Sequence, residues 1–198
     1  MRRLLIIAGL LFVGCAGFIT EPVGRGRDSR INTQLVNSFV NGFGQSRGTR
    51  LVRLFAENAG IEIKGVGMVA QGITELRDFL DYGRAVNSRL TLSSLRIEDD
   101  SVFGKLAENN EWLKQLGLEP MLYDATFVLE GNKIKQVIIE VDPVYSARLM
   151  GKGLAFFNWL RQNEPEALKE LMPDGKFRFD AENGKFFLEL IKRWYEQN

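Results

Sequence analysis

Arg89-Leu90-Thr91-Leu92-Ser93-Ser94-Leu95-Arg96-Ile97 is the stretch on which the fold turns. Leu90 and Leu92 alternate with polar residues, as on a strand with one buried face, where side chains repeat every second position. Leu95 and Ile97 alternate as well, but one position out of phase. A strand that keeps one buried face through such a slip needs one extra residue, a β-bulge, and a bulge bends the sheet that contains it.

The neighbouring sequence supplies the rest of that sheet. Ser101 to Ala107 reads as the next strand, and Glu108 to Leu116 as a helical insert with Trp112, Leu113 and Leu116. Met121, Tyr123, Ala125, Phe127 and Leu129 then share one strand face, Glu130-Gly131-Asn132 turns a hairpin, and Lys133 to Val141 returns. Upstream, Ile31, Leu35, Phe39 and Phe43 recur every fourth residue and predict a helix with one apolar stripe. A second helix is expected over Thr49 to Asn58, then short strands at Ile61 to Lys64 and Met68 to Ala70, then a third helix from Gly72 ending at Gly83. The last third reads as helices: Ser146 to Asn163, a turn from Pro165, and a final helix opening at Asp180 or Ala181. The expected class is α+β: a cone-shaped, bent antiparallel sheet wrapped around N-terminal helices over residues 31–142, with extra C-terminal helices over 143–198 packed on it. A bulged sheet closed by an apolar helix leaves a hollow with a mouth, the usual setting for a ligand.

Composition narrows the chemistry. The 198 residues include no His, and a single Cys at position 15. Ser-His-Asp and Cys-His catalysis and His-ligated metal sites are therefore excluded, and downstream of Cys15 there is neither a disulfide nor a cysteine metal site. Among the acids only Glu98-Asp99-Asp100 cluster, as a solvated turn would, so no metal and no cofactor is expected. The net charge is +1, more than accounted for by Arg2 and Arg3 in the first residues. A near-neutral domain lacks the positive field that nucleic-acid binding rests on.

Met1-Arg2-Arg3 and the apolar run Leu4 to Gly14 read as a signal peptide over residues 1–14. Eleven helical residues rise about 16 Å against a hydrocarbon core of roughly 30 Å, too short for a comfortable span. Phe12-Val13-Gly14-Cys15-Ala16 resembles a bacterial lipoprotein lipobox, with Phe12 where Leu is usual. That resemblance implies lipidation of Cys15, a membrane partner through that lipid, and a bacterial cell-envelope location. An ordinary secretory cut near Gly14 to Gly17 is the other reading. Residues 15–30, with Pro22, Gly24 and Gly26, read as the lipidated Cys and a flexible tether.

Leu54-Phe55-Ala56-Glu57-Asn58-Ala59 running into Ile61-Glu62-Ile63, then Gln71-Gly72 and Leu76-Arg77-Asp78-Phe79-Leu80, resembles the front half of the nuclear transport factor 2-like superfamily, the cone fold of ketosteroid isomerases and polyketide cyclases. The resemblance covers about Ile31 to Val141 and leaves Asp142 to Asn198 outside. It implies a cavity at the open end of the cone. It also sets Glu62 near the position of the isomerases' catalytic Asp, in a register about one residue off; alternation with Ile61 and Ile63 equally allows Glu62 to face solvent. Look-alike folds commonly dimerise through the outer sheet face, so a homodimer is compatible with it.

Tyr123 shares its strand face with Met121, Ala125 and Phe127, which points it into the hollow, where a phenol can stabilise an oxyanion or simply pack. Glu62 and Tyr123 are thus the catalytic candidates. Asp81 and Tyr82, at the end of the third helix, reach toward the mouth or form a polar helix terminus. Asn109, Asn110 and Trp112 combine amide hydrogen bonding with an apolar plate, as ligand sites do; the other reading is a helix N-cap with Trp112 in the core. Three functions compete on this basis. One is a lipid-anchored module that binds a small apolar molecule or a partner segment. Another is a metal-free isomerase, cyclase or dehydratase using a pocket carboxylate and a Tyr. The third is a scaffold whose C-terminal helices dock another envelope protein.

Overall fold

The computed structural model of the chain describes residues 26–197. The residues expected to form a signal peptide (1–14), the Cys15 expected to carry lipid and most of the expected tether (15–30) lie outside the described residues. Helices are α1 (Gly26–Gly42), α2 (Gly48–Leu51), α3 (Gly72–Ala85), α4 (Glu111–Leu116), α5 (Pro143–Asn163), α6 (Pro165–Leu171) and α7 (Ala181–Glu196). Strands are β1 (Phe55–Ile63), β2 (Gly67–Gln71), β3 (Arg89–Glu98), β4 (Ser101–Asn109), β5 (Met121–Glu130) and β6 (Lys133–Val141). Among the described residues no helix is long and apolar enough to cross a membrane.

The six strands form one curved sheet in the order β2-β1-β6-β5-β4-β3. The slip in β3 is a bulge: Ser93 pairs with Lys105 but Arg96 with Phe103, so three steps on β3 oppose two on β4. Ser94 absorbs the extra residue in the left-handed region at φ 53°. Across the bend Gly104 pairs with Ala125, two small residues that leave room on the concave side.

Several sequence expectations are corrected. The sheet is mixed, because β1 runs parallel to β6, from Gly60 opposite Gln136 to Ile63 opposite Ile139. The helix expected over Thr49 to Asn58 stops early: α2 gives way to a 3₁₀ turn at Val52–Leu54, and the chain is a strand from Phe55. Phe55 and Ala59 are buried there and Phe55 pairs with Ile134, so long-range pairing overrides local helix propensity. α1 begins at Gly26, inside the expected tether. Its buried side is Val36, Phe39, Val40 and Phe43, while Ile31 is exposed beyond the edge of the core. β4 continues to Asn109, so Glu108 is a strand residue and helix α4 starts only at Glu111.

Two apolar cores result. The first joins α1, α3 and the concave sheet around Phe39, Phe79, Leu106 and Phe127. The second joins α4, α5, α6 and α7 around Leu113, Phe156, Leu160 and Ile191. Buried Asn183 ties the helical layer together: its Nδ2 donates to the Leu171 and Arg178 carbonyls at 3.1 and 2.8 Å, so none of its burial leaves that amide unpaired. Gly184 of α7 lies directly on the Tyr82 ring, where a Cβ would come within 2.9 Å of Cδ2.

Candidate functional site

Between the two cores lies a cavity of about 680 Å³, within the range of sites that enclose a drug-sized molecule. Phe39, Phe43, Phe79, Leu106, Val137 and Ile139 supply apolar walls from α1, α3 and the sheet. Ser146, Leu149 and Met150 of α5 border it on the other side, and Lys64, Gly65, Val66 and Glu140 lie where β1 and β6 end. Lys64 and Glu140 form an ion pair at 2.6 Å with both side chains more than half exposed. A second hollow, of about 580 Å³, sits against the β3–β4 and β5–β6 turns; it is polar, and among the described residues Asp99 and Asp100 are the ionisable side chains that line it.

The chemistry of the main cavity gathers on Glu108. Its position follows from β4: Val102, Gly104, Leu106 and Glu108 alternate onto the concave face. Tyr123 on β5 stands opposite Leu106 and reaches diagonally, so that its hydroxyl donates to Glu108 Oε2 at 2.6 Å. Ser88 Oγ donates to Oε1 in a very short contact, and Asn110 Nδ2 donates to the same oxygen at 2.9 Å. The amide orientation of Asn110 is fixed independently, because its Oδ1 caps α4 by accepting from the Leu113 N–H at 2.8 Å. Three donors therefore converge on one carboxylate, as on an ionised group.

The corner is rigid. Glu111 N–H donates to the Val86 carbonyl, and Asn87 Nδ2 donates to Glu111 Oε1 at 3.2 Å. Ser88 is fully buried, and Gly44, at φ 68°, packs against its carbonyl so closely that a Cβ there would overlap the oxygen. Arg89 Nη1 donates to the carbonyls of Gly44 and Ser88 and is spent on them.

Two phenols border Glu108. Burial, then the Glu108 charge and its hydrogen bond, push Tyr123 well above the ordinary phenol range. Tyr82 is raised too, by burial first and the Glu108 charge second, with the Trp112 indole acting in the opposite direction. Both phenols are therefore protonated donors at neutral pH. The Trp112 N–H is turned toward the Tyr82 side chain and is buried without a hydrogen bond.

The structure brings Tyr82, Trp112 and Tyr123 together in the lining of the cavity. Asn110 is beside them, but its amide is committed to the cap and to Glu108, so it positions the carboxylate rather than lining the hollow. Asn109 is exposed on the other side of the strand. Asp81 accepts from the Gly48 N–H at 3.0 Å and pairs with Arg84, tying α2 to α3 away from the cavity. Glu62 also faces away: Ile61 and Ile63 line the hollow, while Glu62 accepts from Gln136 Nε2 at 3.0 Å on the opposite side of the sheet. The cavity carboxylate without a partner cation is Glu108, which reading 108–116 as helix hides; the other, Glu140, is paired with Lys64. The signal for Glu108 was the phase of Val102 and Leu106, continued two residues further. Among the described residues no group of His, Cys, Asp and Glu converges as a metal site would.

The fold recurs among solved structures. The epoxide hydrolase/cyclase-like enzyme SalBIII, from pyran-ring formation in the polyether salinomycin, is 18% identical and superposes with a TM-score of 0.51 over 60% of this chain and 95% of its own. A nuclear transport factor 2-like protein of unknown function from Cytophaga hutchinsonii is 13% identical, with a TM-score of 0.46 over 57% of this chain and 90% of that one. A de novo designed protein with a curved β-sheet is 12% identical, with a TM-score of 0.48 over 64% and 97%. At such identities the likeness is one of fold alone: an α+β fold built on a curved sheet. No protein-family model matches the chain, and no curated protein does.

Proposed function

We propose that this domain binds a small apolar molecule in the cavity between its two cores. The observation that carries the reading is the contrast between the apolar walls and the polar constellation of Glu108, Tyr123, Tyr82 and Trp112 set among them. Ligand sites combine a large apolar surface with a few convergent polar groups that fix orientation. At the rim Val66 and Met150 are exposed, an apolar entrance for such a molecule. Native mass spectrometry of the protein purified from its host tests the proposal: a retained small molecule is expected, and it should be lost when Ile139→Trp fills the hollow. Failure of Ile139→Trp to change the bound mass would refute the assignment to this cavity.

The Tyr123–Glu108 hydrogen bond favours a second reading, an enzyme of the isomerase, cyclase or dehydratase kind in which the phenol orients the carboxylate and the carboxylate handles a proton. It requires that the retained molecule be converted by the wild type and left unchanged by Glu108→Gln.

Anchoring at a bacterial envelope membrane by lipid on Cys15 is the remaining part of the proposal, and it rests on the sequence from Met1 to Ala16. Radioactive palmitate should label the wild-type chain in its host, and Cys15→Ala should abolish the label; persistence of label would overturn it.

A further inference from the structure

The groups around Glu108 narrow the ligand's head group. Glu108 is held by a phenol, a serine hydroxyl and a carboxamide, all neutral. Among the described residues no Lys or Arg forms an ion pair with it. Lys64 pairs with Glu140 at the rim, and Arg89 is turned onto two backbone carbonyls. The lining of the hollow thus carries one half-buried carboxylate with no partner cation, beside apolar walls. A carboxylate partly withdrawn from water gains from a cation that approaches it.

The accounting of lone pairs points the same way. A carboxylate has about four acceptor sites. Two donors occupy Oε1 and one occupies Oε2, so a site remains on Oε2 for a donor arriving from the cavity. The surroundings of that site are aromatic: Tyr82, Trp112 and Tyr123 beside it, with Phe179 against Tyr82 and Phe79 against Phe179. Aromatic faces attract cations through their quadrupole, most strongly where water is excluded.

We propose that the cavity takes an apolar molecule whose polar end donates to Glu108, a protonated amine in preference to a neutral alcohol, and that it turns carboxylates away. This deepens the binding reading and rests on it. An anionic head would meet a like charge on Glu108. An alcohol would find one acceptor on Glu108 and a donor in the unpaired Trp112 N–H. An ammonium gains the full charge.

The experiment keeps one tail and changes the head: decylammonium, 1-decanol and decanoate, titrated calorimetrically into the full chain at pH 7. Decylammonium should bind at least about tenfold more tightly than decanol, a difference of about 1.4 kcal/mol, and decanoate should not bind at all. Glu108→Gln should erase the amine's advantage and leave decanol within about threefold. Should that variant fold poorly, Trp112→Phe keeps the charge and should keep the amine first while weakening decanol. Equal affinity for the three heads, or decanol or decanoate binding best, overturns the head-group assignment while leaving the cavity a binding site. Binding of none of the three overturns the binding reading itself.

Discussion

Replacing Tyr123 by Phe tests whether the Glu108 constellation is a built feature of the fold. The substitution removes one hydroxyl and leaves the ring, which packs against both cores. What is lost is a 2.6 Å hydrogen bond to a carboxylate, and hydrogen bonds to charged groups contribute about 1.5–3 kcal/mol. The lower end applies, because Glu108 borders a cavity that water can enter and a water can replace part of the lost donor. The expected cost is therefore about 1.5 kcal/mol, or a melting temperature lower by about 3–6 °C for a chain of this size. Urea unfolding of wild type, Tyr123→Phe, Glu108→Gln and the double variant provides the assay. The double-variant cycle should return a coupling of about 1 kcal/mol or more. Loss of less than about 0.3 kcal/mol in Tyr123→Phe, with no coupling, would refute the argument that Tyr123 is bound to an ionised Glu108.

Gly44→Ala should be among the most damaging single changes, about 3 kcal/mol or more by urea unfolding, because the residue has φ 68° and a Cβ would strike the Ser88 carbonyl. Asn110→Ala should cost about 2 kcal/mol, since it removes both the α4 N-cap and a donor to Glu108, whereas Asn110→Asp should retain the cap but replace the second contact by repulsion between two carboxylates. Glu62→Gln should change stability by less than about 0.5 kcal/mol and leave ligand affinity untouched, because that side chain lies on the other side of the sheet from the cavity. The two raised phenols make a pH prediction. The unfolded chain releases these protons near the ordinary value of 10.0, while the folded chain holds them. Their contribution is thus complete below about pH 10 and falls above it, by up to about 1.4 kcal/mol per phenol per pH unit. Urea midpoints at pH 9, 10 and 11 should show the fall, and it should be much shallower with both tyrosines changed to Phe; the exposed ion pairs of Lys64 and Lys105 weaken in the same range and set the remaining slope.

Alternation read in one dimension reports which face a residue occupies, and it did so well where a single face is buried. The phase slip between Leu92 and Leu95 identified the bulge, and the run Met121, Tyr123, Ala125, Phe127 placed Tyr123 toward the hollow. Neighbours are a different matter. Nothing local distinguishes a strand whose partner is antiparallel and adjacent from one whose partner is parallel and distant, so the β1–β6 pairing was not legible. Phe55 to Asn58 also reads as helix because its helix formers are satisfied locally, and only β6 makes it a strand. Glu108 was missed because Glu-Asn-Asn-Glu resembles a helix entrance. The entrance is real but begins at Asn110, and the first Glu of the run belongs to the strand before it.

The parallel seam between β1 and β6 has a consequence for how the chain is made. Lys64, at the end of β1, meets its cross-strand partner Glu140 across 76 positions of sequence. A nascent polypeptide therefore emerges with its first hairpin waiting, one rim of hydrogen-bonding groups open, until almost three quarters of the message has been read. Contacts that far apart form late and slowly. A chain cut short before Val141 would be left with a bare, sticky strand margin, which makes premature termination products of this protein candidates for aggregation rather than for partial function.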